Sequence, residues 1–419
     1  MELAEHFFRR EAGPLVVALT RIFGVRNLAL AEDVVQDAFC RAVEVWSVRG
    51  VPENPSAWLM TAAKNRALDR IRRERTALTF APELSRHLES EWTLPPAVDA
   101  AFEAASIRDG QLRMMFSCCH PKLPEQAQLA LILNILCGFG APEIAAAFLT
   151  GRAAIEKRIS RGKEALSAAK NLFDLACDDI EERLSTVQRA LYLLFNEGYH
   201  GASSKTPVHA DLCDEAIRLV ALLREYPPAA TPATDALAAL MYLHAARLPA
   251  KLDISGDLSA MVDHDRSRWD AERIASGLEL LRQSARGDLV TPYHVEAAIA
   301  AEHASARTIA ETNWATIVSL YDKLIAITPS PVVALNRAIA IAERDGAKAG
   351  LAALRAIEDK ERLAKYPFYR AACGELELRS NDRPAATAHF RAALAVARSE
   401  PERRFLERRI EAARAVGKA

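Results

Sequence analysis

Apolar residues along this chain recur mainly at steps of three and four, and no stretch alternates apolar and polar residues for long. Steps of three and four place side chains on one face of an α-helix, whereas a face of a strand takes every second residue. In the first such segment, residues 3–23, the stripe includes Leu15, Leu19 and Phe23, and Gly24 follows as a helix-ending residue. The pattern predicts an all-α protein that begins with one or two short amphipathic helices.

The second periodic segment, residues 31–48, combines a wide apolar stripe with a polar face that is mainly acidic. The stripe consists of Val34, Val35, Ala38, Phe39, Ala42, Val45 and Trp46. The other side carries Glu32, Asp33, Gln36, Asp37, Arg41 and Glu44. Such a face suits a basic protein partner. On an isolated amphipathic helix, the same charges would be ordinary surface charge.

The stretch beginning NPSAW predicts a third helix with a strongly basic face. Asn54 suits the N-cap, Pro55 suits the first helical position, and Trp58 lies on the apolar side. From Lys64 to Arg75 there are six basic and two acidic residues, a net charge of +4 in a chain whose formal net charge is −1. This concentration is typical of a surface that contacts phosphate. The alternative is a solvated helix end whose arginines suit the helix dipole.

Residues 76–107 have a different character, because prolines interrupt them and acidic residues dominate. The prolines are Pro82, Pro95 and Pro96, and the acidic residues include Glu83, Glu89, Glu91, Asp99 and Glu103. This composition predicts a linker.

Residues 112–166 predict a second compact group of helices. A short helix over residues 142–148, a tight turn and a longer basic helix from Gly151 form a helix-turn-helix pattern, in which the second helix enters the major groove. Between Gly151 and Lys163 there are five basic residues and one acidic residue, again a net charge of +4. The side chains left for DNA are Arg152, Ala153, Glu156, Lys157, Arg158, Ser160 and Arg161.

These two groups resemble the second and fourth regions of bacterial RNA polymerase sigma factors of the extracytoplasmic-function type, in the sigma-70 family. The first resemblance is carried by AEDVVQDAFCRAVEVW and NPSAWLMTAAKNRALDRIRRER, and the second by GFGAPEIAAAFLTGRAAIEKRISRGKEAL. Each half alone is moderately specific, since helix-turn-helix patterns are widespread. Both halves occur here in the expected order, over roughly residues 1–170.

The resemblance implies a role for individual residues. Docking on the clamp helices of the largest polymerase subunit is expected of Asp33, Gln36 and Asp37. Contact with the minus-ten promoter element is expected of Trp58, Lys64, Asn65, Arg66, Asp69, Arg70, Arg72 and Arg73. Contact with the minus-thirty-five element is expected of Arg152, Glu156, Lys157, Arg158 and Arg161. The fourth region is also expected to meet the polymerase beta flap.

Beyond residue 170 the chain departs from minimal members of that family. In LYLLFNEGYHG, a turn permitted by Gly198 and Gly201 is expected to gather four candidate regulatory residues. These are Asn196, Glu197, Tyr199 and His200. The turn is either a pocket for a ligand or partner or, as we favour, a capping turn. Residues 261–268 also gather ionisable groups on a predicted loop, to which we assign no active site.

The last part of the chain has a repeating pattern similar to tetratricopeptide repeats. Matching positions are Ile317, Tyr321, Leu324 and Pro329, then Gly350, Leu354 and Ile357, then Ala386, Phe390 and Ala393, with Gly374 at a small-residue position. The period is close to that of the repeat. Any array of helical hairpins would show a similar pattern, because small residues let paired helices approach.

The cysteine content and the motifs limit the classes of function that the protein can have. The seven cysteines are odd in number and mostly apolar in context, which favours reduced thiols in a cytoplasm. Cys118, Cys119 and His120 are adjacent and have no second ligand cluster, so we expect no metal and no cofactor. No signal segment, membrane-spanning run or catalytic motif occurs, so we expect a non-enzymatic protein without a membrane partner.

The sequence thus predicts a cytoplasmic sigma factor whose partners are core RNA polymerase and promoter DNA. Its predicted parts are residues 1–78 (second region), 79–108 (linker), 109–170 (fourth region), 171–290 (helical extension) and 291–419 (tetratricopeptide-like repeats). The extension is expected to control activity by binding a peptide, protein or effector. The alternative is a stand-alone helix-turn-helix regulator with a sensing domain, which would need neither the acidic helix nor Trp58 with its basic helix.

Overall fold

The computed structural model describes residues 2–24, 27–74, 100, 102–120, 123–148, 150–168, 177–200, 209–253, 258–364, 366–397 and 400–415. These residues form α-helices with short 3-10 and π segments and contain no β-strand, apart from an isolated bridge between Leu252 and Leu258. The all-α prediction is confirmed.

The chain divides into two compact units, Met1–Leu193 and Leu194–Ala419, which are described separately. Helices of the first unit are α1 (Glu2–Phe23), α2 (Leu28–Arg49), α3 (Pro55–Glu74), α4 (Ala104–Cys118), α5 (Glu125–Leu131), α6 (Ala141–Ala147) and α7 (Arg152–Ala168). Helix α8 (Cys177–His200) runs through the division, which therefore falls later than residue 170, where the sequence analysis ended the fourth region.

Helices α1, α2 and α3 pack on one another through the apolar stripes that the sequence shows. α1 is a single helix with Pro14 inside it, and Gly24 ends it with a φ of +81°. The N-cap of α3 is as predicted, because Asn54 Oδ1 accepts a hydrogen bond from the Ala57 amide at 3.0 Å. These local signals position the basic face of α3 and the acidic face of α2 on the outside of one small helical group.

The helix-turn-helix group follows the predicted order. A π-helical segment, Ile132–Leu136, extends α5, and Gly138 turns the chain towards α6 with a φ of +69°. Helix α4 begins at Ala104, so the predicted linker over 79–108 ends in a helix. Much of that linker lies outside the described residues.

The two groups pack directly against each other within the first unit, since α1 contacts α4 and the π segment. At Gly13 a Cβ would lie only 2.0 Å from the Leu136 carbonyl oxygen, and at Gly110 it would lie 2.5 Å from Val17 Cγ1. The sequence pattern predicts two small domains separated by a tether. The structure instead joins them through a contact that only glycine permits.

The second unit continues with helices that pack mainly on their neighbours in the chain. They are α9 (Ala210–Glu225), α10 (Pro232–Ala245), α11 (Leu248–Lys251), α12 (Ala271–Ser284), α13 (Pro292–Ser305), α14 (Trp314–Ile327), α15 (Pro331–Asp345), α16 (Ala347–Arg355), α17 (Pro367–Arg379), α18 (Arg383–Ala395) and α19 (Glu400–Arg414). Helix α10 is the centre of the early part, because it is buried almost all round and contacts α9, α12 and α13.

The predicted regulatory turn is wrong in its geometry. Asn196, Glu197 and Tyr199 lie within α8, which continues to His200, whose side chain lies outside the described residues. Gly198 serves close packing there, not positive φ, because a Cβ would meet the His209 carbonyl oxygen and the sulfur of Cys213, both at 2.8 Å. The close approach of the start of α9, and not a turn, is therefore what requires a glycine at position 198.

Helical hairpins form where the repeat pattern was found. Gly374 on α17 faces Phe390 on α18, since a Cβ at Gly374 would lie 2.9 Å from that ring. Gly350 on α16 similarly lies against Ala342 on α15, where a Cβ would approach to 2.4 Å. Small residues thus let neighbouring helices approach as the pattern predicts, and the likeness to tetratricopeptide repeats stays a prediction.

Candidate nucleic-acid interface

The basic face of α3 lies outside the core of the first unit. Leu59, Ala63 and Ala67 are fully buried, and the intervening polar positions are exposed or partly exposed. The polar positions are Lys64, Asn65, Arg66, Asp69 and Arg70. The side chains of Arg72 and Arg73 lie outside the described residues. The described part of the face therefore lies at the surface of the first unit.

Trp58 lies at the start of this face and is half-buried in an aromatic cluster. Its ring packs edge-on against Trp46 with centroids 5.5 Å apart, and Trp46 stacks on Phe8 at 5.6 Å. Trp58 therefore anchors α3 on α1 and α2, and only part of its ring remains for a base to contact.

The acidic face of α2 lies beside the basic face of α3. Asp33 and Gln36 are exposed, whereas Asp37 accepts two hydrogen bonds from the Arg66 guanidinium, at 3.0 and 2.8 Å. One residue expected to dock polymerase and one expected to contact DNA are thus paired with each other. This ion pair joins the edge of the acidic face to the edge of the basic face. Asp33 and Gln36 are not part of the pair.

In the helix-turn-helix group, α7 buries Ile155, Ile159 and Leu166 against its neighbours. The opposite side presents Arg152, Glu156, Lys157, Arg158 and Arg161, of which Arg158 is partly buried and the others are exposed. Arg152 Nε donates to Glu156 Oε1 at 2.6 Å, one turn along the helix. The residues expected to read DNA therefore all lie outside the buried stripe of α7, as the periodicity predicts.

An ion pair connects the two groups. Lys163 on α7 contacts Glu32 on α2 with a nitrogen–oxygen distance of 2.5 Å, and their side chains are only 22% and 26% exposed. Arg21 on α1 likewise pairs with Asp109 on α4 at 3.2 Å. Charge pairs and the Gly13 contact thus hold both basic faces on one body.

Comparison with known proteins identifies the two groups. Residues 8–77 match the family model for sigma-70 region 2, and residues 113–166 match that for sigma-70 region 4. An uncharacterised protein of Rhizobium meliloti (strain 1021) is 38% identical over 397 residues, or 94% of this chain and 92% of the relative. The chain belongs to the sigma-70 family. Residues 183–285 match a further family of unknown function, DUF6596, which forms part of the extension.

Sigma-70 region 2 and region 4 are thus the two groups whose contact the sequence analysis missed. Glu32 and Lys163 lie 131 positions apart, so no local pattern relates them. Gly13 carried a weak signal, because a glycine inside a helical pattern often marks a close approach.

No three histidine, cysteine or acidic side chains in the described ranges lie close enough to hold a metal ion, and no described helix is long and apolar enough to cross a membrane. Cys118 and Cys119 are buried in the sigma-70 region 4 group, and burial raises the pKa of the Cys119 thiol to about 12. Both cysteines are therefore protonated core residues at neutral pH.

The region 2–region 4 ion pair makes a testable contribution to stability. Reversing the charge of either Glu32 or Lys163 is expected to destabilise the first unit. The double charge reversal E32K/K163E is expected to restore most of the lost stability. A double-mutant cycle by urea unfolding should give a coupling of about 1 kcal/mol, because the pair is only partly exposed.

The exposed pair Arg152–Glu156 on α7 provides the control, since its side chains are 69% and 47% exposed. A cycle on that pair should give a coupling of about 0.3–0.5 kcal/mol. Equal couplings for the two pairs would show that the Glu32–Lys163 contact contributes no more than surface charge.

Proposed function

We propose that this protein is a sigma factor of the extracytoplasmic-function type, which binds core RNA polymerase and directs recognition and melting of a two-part promoter. The observation that carries the proposal is one body with three outward faces: an acidic face on α2 and basic faces on α3 and α7. The catalysis belongs to the polymerase, and the site of action is the cytoplasm, where the polymerase and the chromosome lie.

The residue roles follow from these faces. Asp33 and Gln36, with Asp37, would dock on the clamp helices of the largest subunit, and region 4 would meet the beta flap. The α3 face would hold the minus-ten element, because melted DNA needs cations for its backbone and stacking surfaces for its bases. The α7 face would enter the major groove at the minus-thirty-five element.

Run-off transcription with purified core polymerase tests this function. The full chain plus core should start transcripts at a defined site on a promoter that core alone does not use. Binding of the duplex promoter without core, combined with no specific transcript, would instead identify a stand-alone helix-turn-helix regulator.

Removing a base-reading arginine should weaken recognition of the upstream element. Replacing Arg161 by alanine is expected to cost about 1–3 kcal/mol in promoter binding if its guanidinium forms a bidentate contact with a base. The loss should vanish on templates in which the minus-thirty-five element is scrambled. Measurement is by competition binding of the polymerase–sigma complex at fixed salt.

The matched control is Arg189→Ala, because Arg189 is an exposed arginine of the same unit that lies on α8 and pairs with Glu125 on α5. Its promoter affinity should equal that of the parent protein. If R161A and R189A behave alike on every template, α7 does not read the upstream element.

Control by the extension is part of the proposal. The test is a truncation after His200, which keeps α8 whole, because Ile180, Val187 and Leu191 of that helix are buried. A difference in transcription between full-length and truncated protein is expected. Identical rates at every promoter would remove the regulatory role.

A further inference from the structure

The second unit brings four basic side chains within electrostatic range of a fifth, Arg247. The five are Arg247, Lys251, His264, Arg266 and His303, called here the basic cluster. The guanidinium carbons of Arg247 and Arg266 lie 5.5 and 5.0 Å from the centre of the Trp269 ring, and the His264 ring lies 6.4 Å from it. These residues come from the segment after α10, from α11, from α13 and from the loop before α12.

Arg247 is the most buried cation of the cluster, with 4% of its surface exposed. Among the described residues, its guanidinium donates only to the sulfur of Met261 at 3.5 Å and to the Ala300 carbonyl oxygen at 3.4 Å. Its Nε finds no hydrogen-bond partner in the described part of the chain. Two long contacts with neutral acceptors are poor compensation for a dehydrated guanidinium.

Lys251 is held against the helix that carries the FNEGY motif. Its ammonium donates to the Tyr199 carbonyl oxygen and lies 3.6 Å from the centre of the Tyr199 ring. Loss of hydration lowers the pKa of Lys251 to about 7, with a further contribution from Arg247. The motif and the 261–268 segment, which the sequence analysis singled out separately, therefore meet at one place.

No carboxylate in the described ranges forms a hydrogen bond or an ion pair with any member of the basic cluster. Arg266 donates instead to the His303 and Ala306 carbonyl oxygens and to Thr312 Oγ1, at 3.0, 2.7 and 3.1 Å. Two exposed carboxylates act on the cluster without contacting it, Asp263 on His264 and Glu311 on Arg266. The cluster thus keeps an uncompensated positive charge inside the unit.

Another buried charge of the same unit, Asp235, is paired with opposite charges. Asp235 on α10 is 5% exposed and accepts hydrogen bonds from Arg224 at 2.7 Å and Arg286 at 2.5 Å. Since an unpaired buried charge is strongly destabilising, pairing of this kind is the usual solution. The basic cluster lacks such pairing. The buried N–H of Trp269 beside it also has no hydrogen-bond partner among the described residues.

We propose that the basic cluster binds an oxyanion from outside the chain, a phosphate or carboxylate group of a small acidic ligand. Arg247 Nε and Trp269 Nε1 would donate hydrogen bonds to it, and Lys251 and Arg266 would supply charge. An extension that binds such a ligand would be a sensor. The proposal depends on the charges of this unit and not on promoter recognition, so it can fail while the sigma function stands.

Thermal unfolding of the full chain tests the site. Inorganic phosphate and citrate, each compared with sodium chloride at equal ionic strength, should raise the unfolding temperature in a saturable way, because a ligand that binds only the folded state stabilises it. Saturation with phosphate but not citrate would assign a phosphate-bearing ligand. The reverse order would assign a carboxylate.

Variants locate the binding. Trp269→Phe keeps an aromatic ring and removes only the N–H, so it should fold and bind the oxyanion at least tenfold more weakly by calorimetry. Arg247→Gln should abolish binding. Arg337→Gln is the control, since Arg337 pairs with Asp322 near the surface of the same unit and its loss should leave binding unchanged.

Three results would overturn the proposal. The first is a shift that chloride reproduces at equal ionic strength. The second is W269F binding with the affinity of the parent protein. The third is that no oxyanion stabilises the chain while Asp257→Asn, at a position outside the described residues, unfolds it, since the counter-charge would then be the chain's own.

Discussion

Replacing Asp33 and Gln36 by arginine is expected to abolish binding to core RNA polymerase while leaving the fold intact. Both side chains are exposed on α2, and neither belongs to the buried stripe of Val34, Val35 and Ala38. On a basic partner surface, two new cations place like charges together, which costs several kcal/mol. A loss of about 3 kcal/mol corresponds to roughly a hundredfold weaker complex.

Co-elution of the D33R/Q36R protein with purified core measures this effect, and circular dichroism checks the fold. The control is Glu53→Arg, an exposed acidic residue outside the α2 face, which should co-elute normally. Undiminished binding by D33R/Q36R would mean that the acidic face is ordinary surface charge and that core contacts lie elsewhere.

Replacing Gly13 by alanine is expected to loosen the contact between sigma-70 regions 2 and 4. A Cβ there would lie 2.0 Å from the Leu136 carbonyl oxygen, a backbone atom that cannot rotate away. Overpacking of this kind costs about 3 kcal/mol at the upper end, whereas alanine gains about 1 kcal/mol over glycine in a helix. The net expectation is a loss of about 2 kcal/mol.

Hydrogen exchange of amides in α1 and in Ile132–Leu136 should therefore speed up roughly 30-fold in G13A, since about 1.4 kcal/mol is a factor of ten. The control is Gly151→Ala, where a Cβ meets nothing within 4 Å and the cost should stay below about 1 kcal/mol. Similar exchange in both variants would show that the helix shifts to accept a methyl group at position 13.

Local signals predicted much of the fold because they act within a few residues. Asn54 caps α3, Gly24 ends α1, and the α7 stripe of Ile155, Ile159 and Leu166 is buried. The FNEGY segment is an exception, because its glycine predicted a turn and the segment is helical. The glycine is required by the close approach of Cys213 from α9, a contact that no local pattern predicts.

The candidate site divides in the same way. Which side chains share a face follows from helical periodicity, so the α2, α3 and α7 faces could be read in advance. The sequence could not predict the pairing of Asp37 with Arg66 or the partial burial of Trp58 against Trp46. Both contacts depend on how the helices cross.

The sequence by itself determined the helices, their outward charges and membership of the sigma-70 family, since periodicity and motifs act over short stretches of chain. Only the tertiary structure decided that regions 2 and 4 form one body and that four basic side chains lie within electrostatic range of Arg247. Such contacts join residues up to 131 positions apart, as in Glu32 and Lys163. They depend on packing and on the absence of a side chain at Gly13, which a reading of each helix alone cannot reveal.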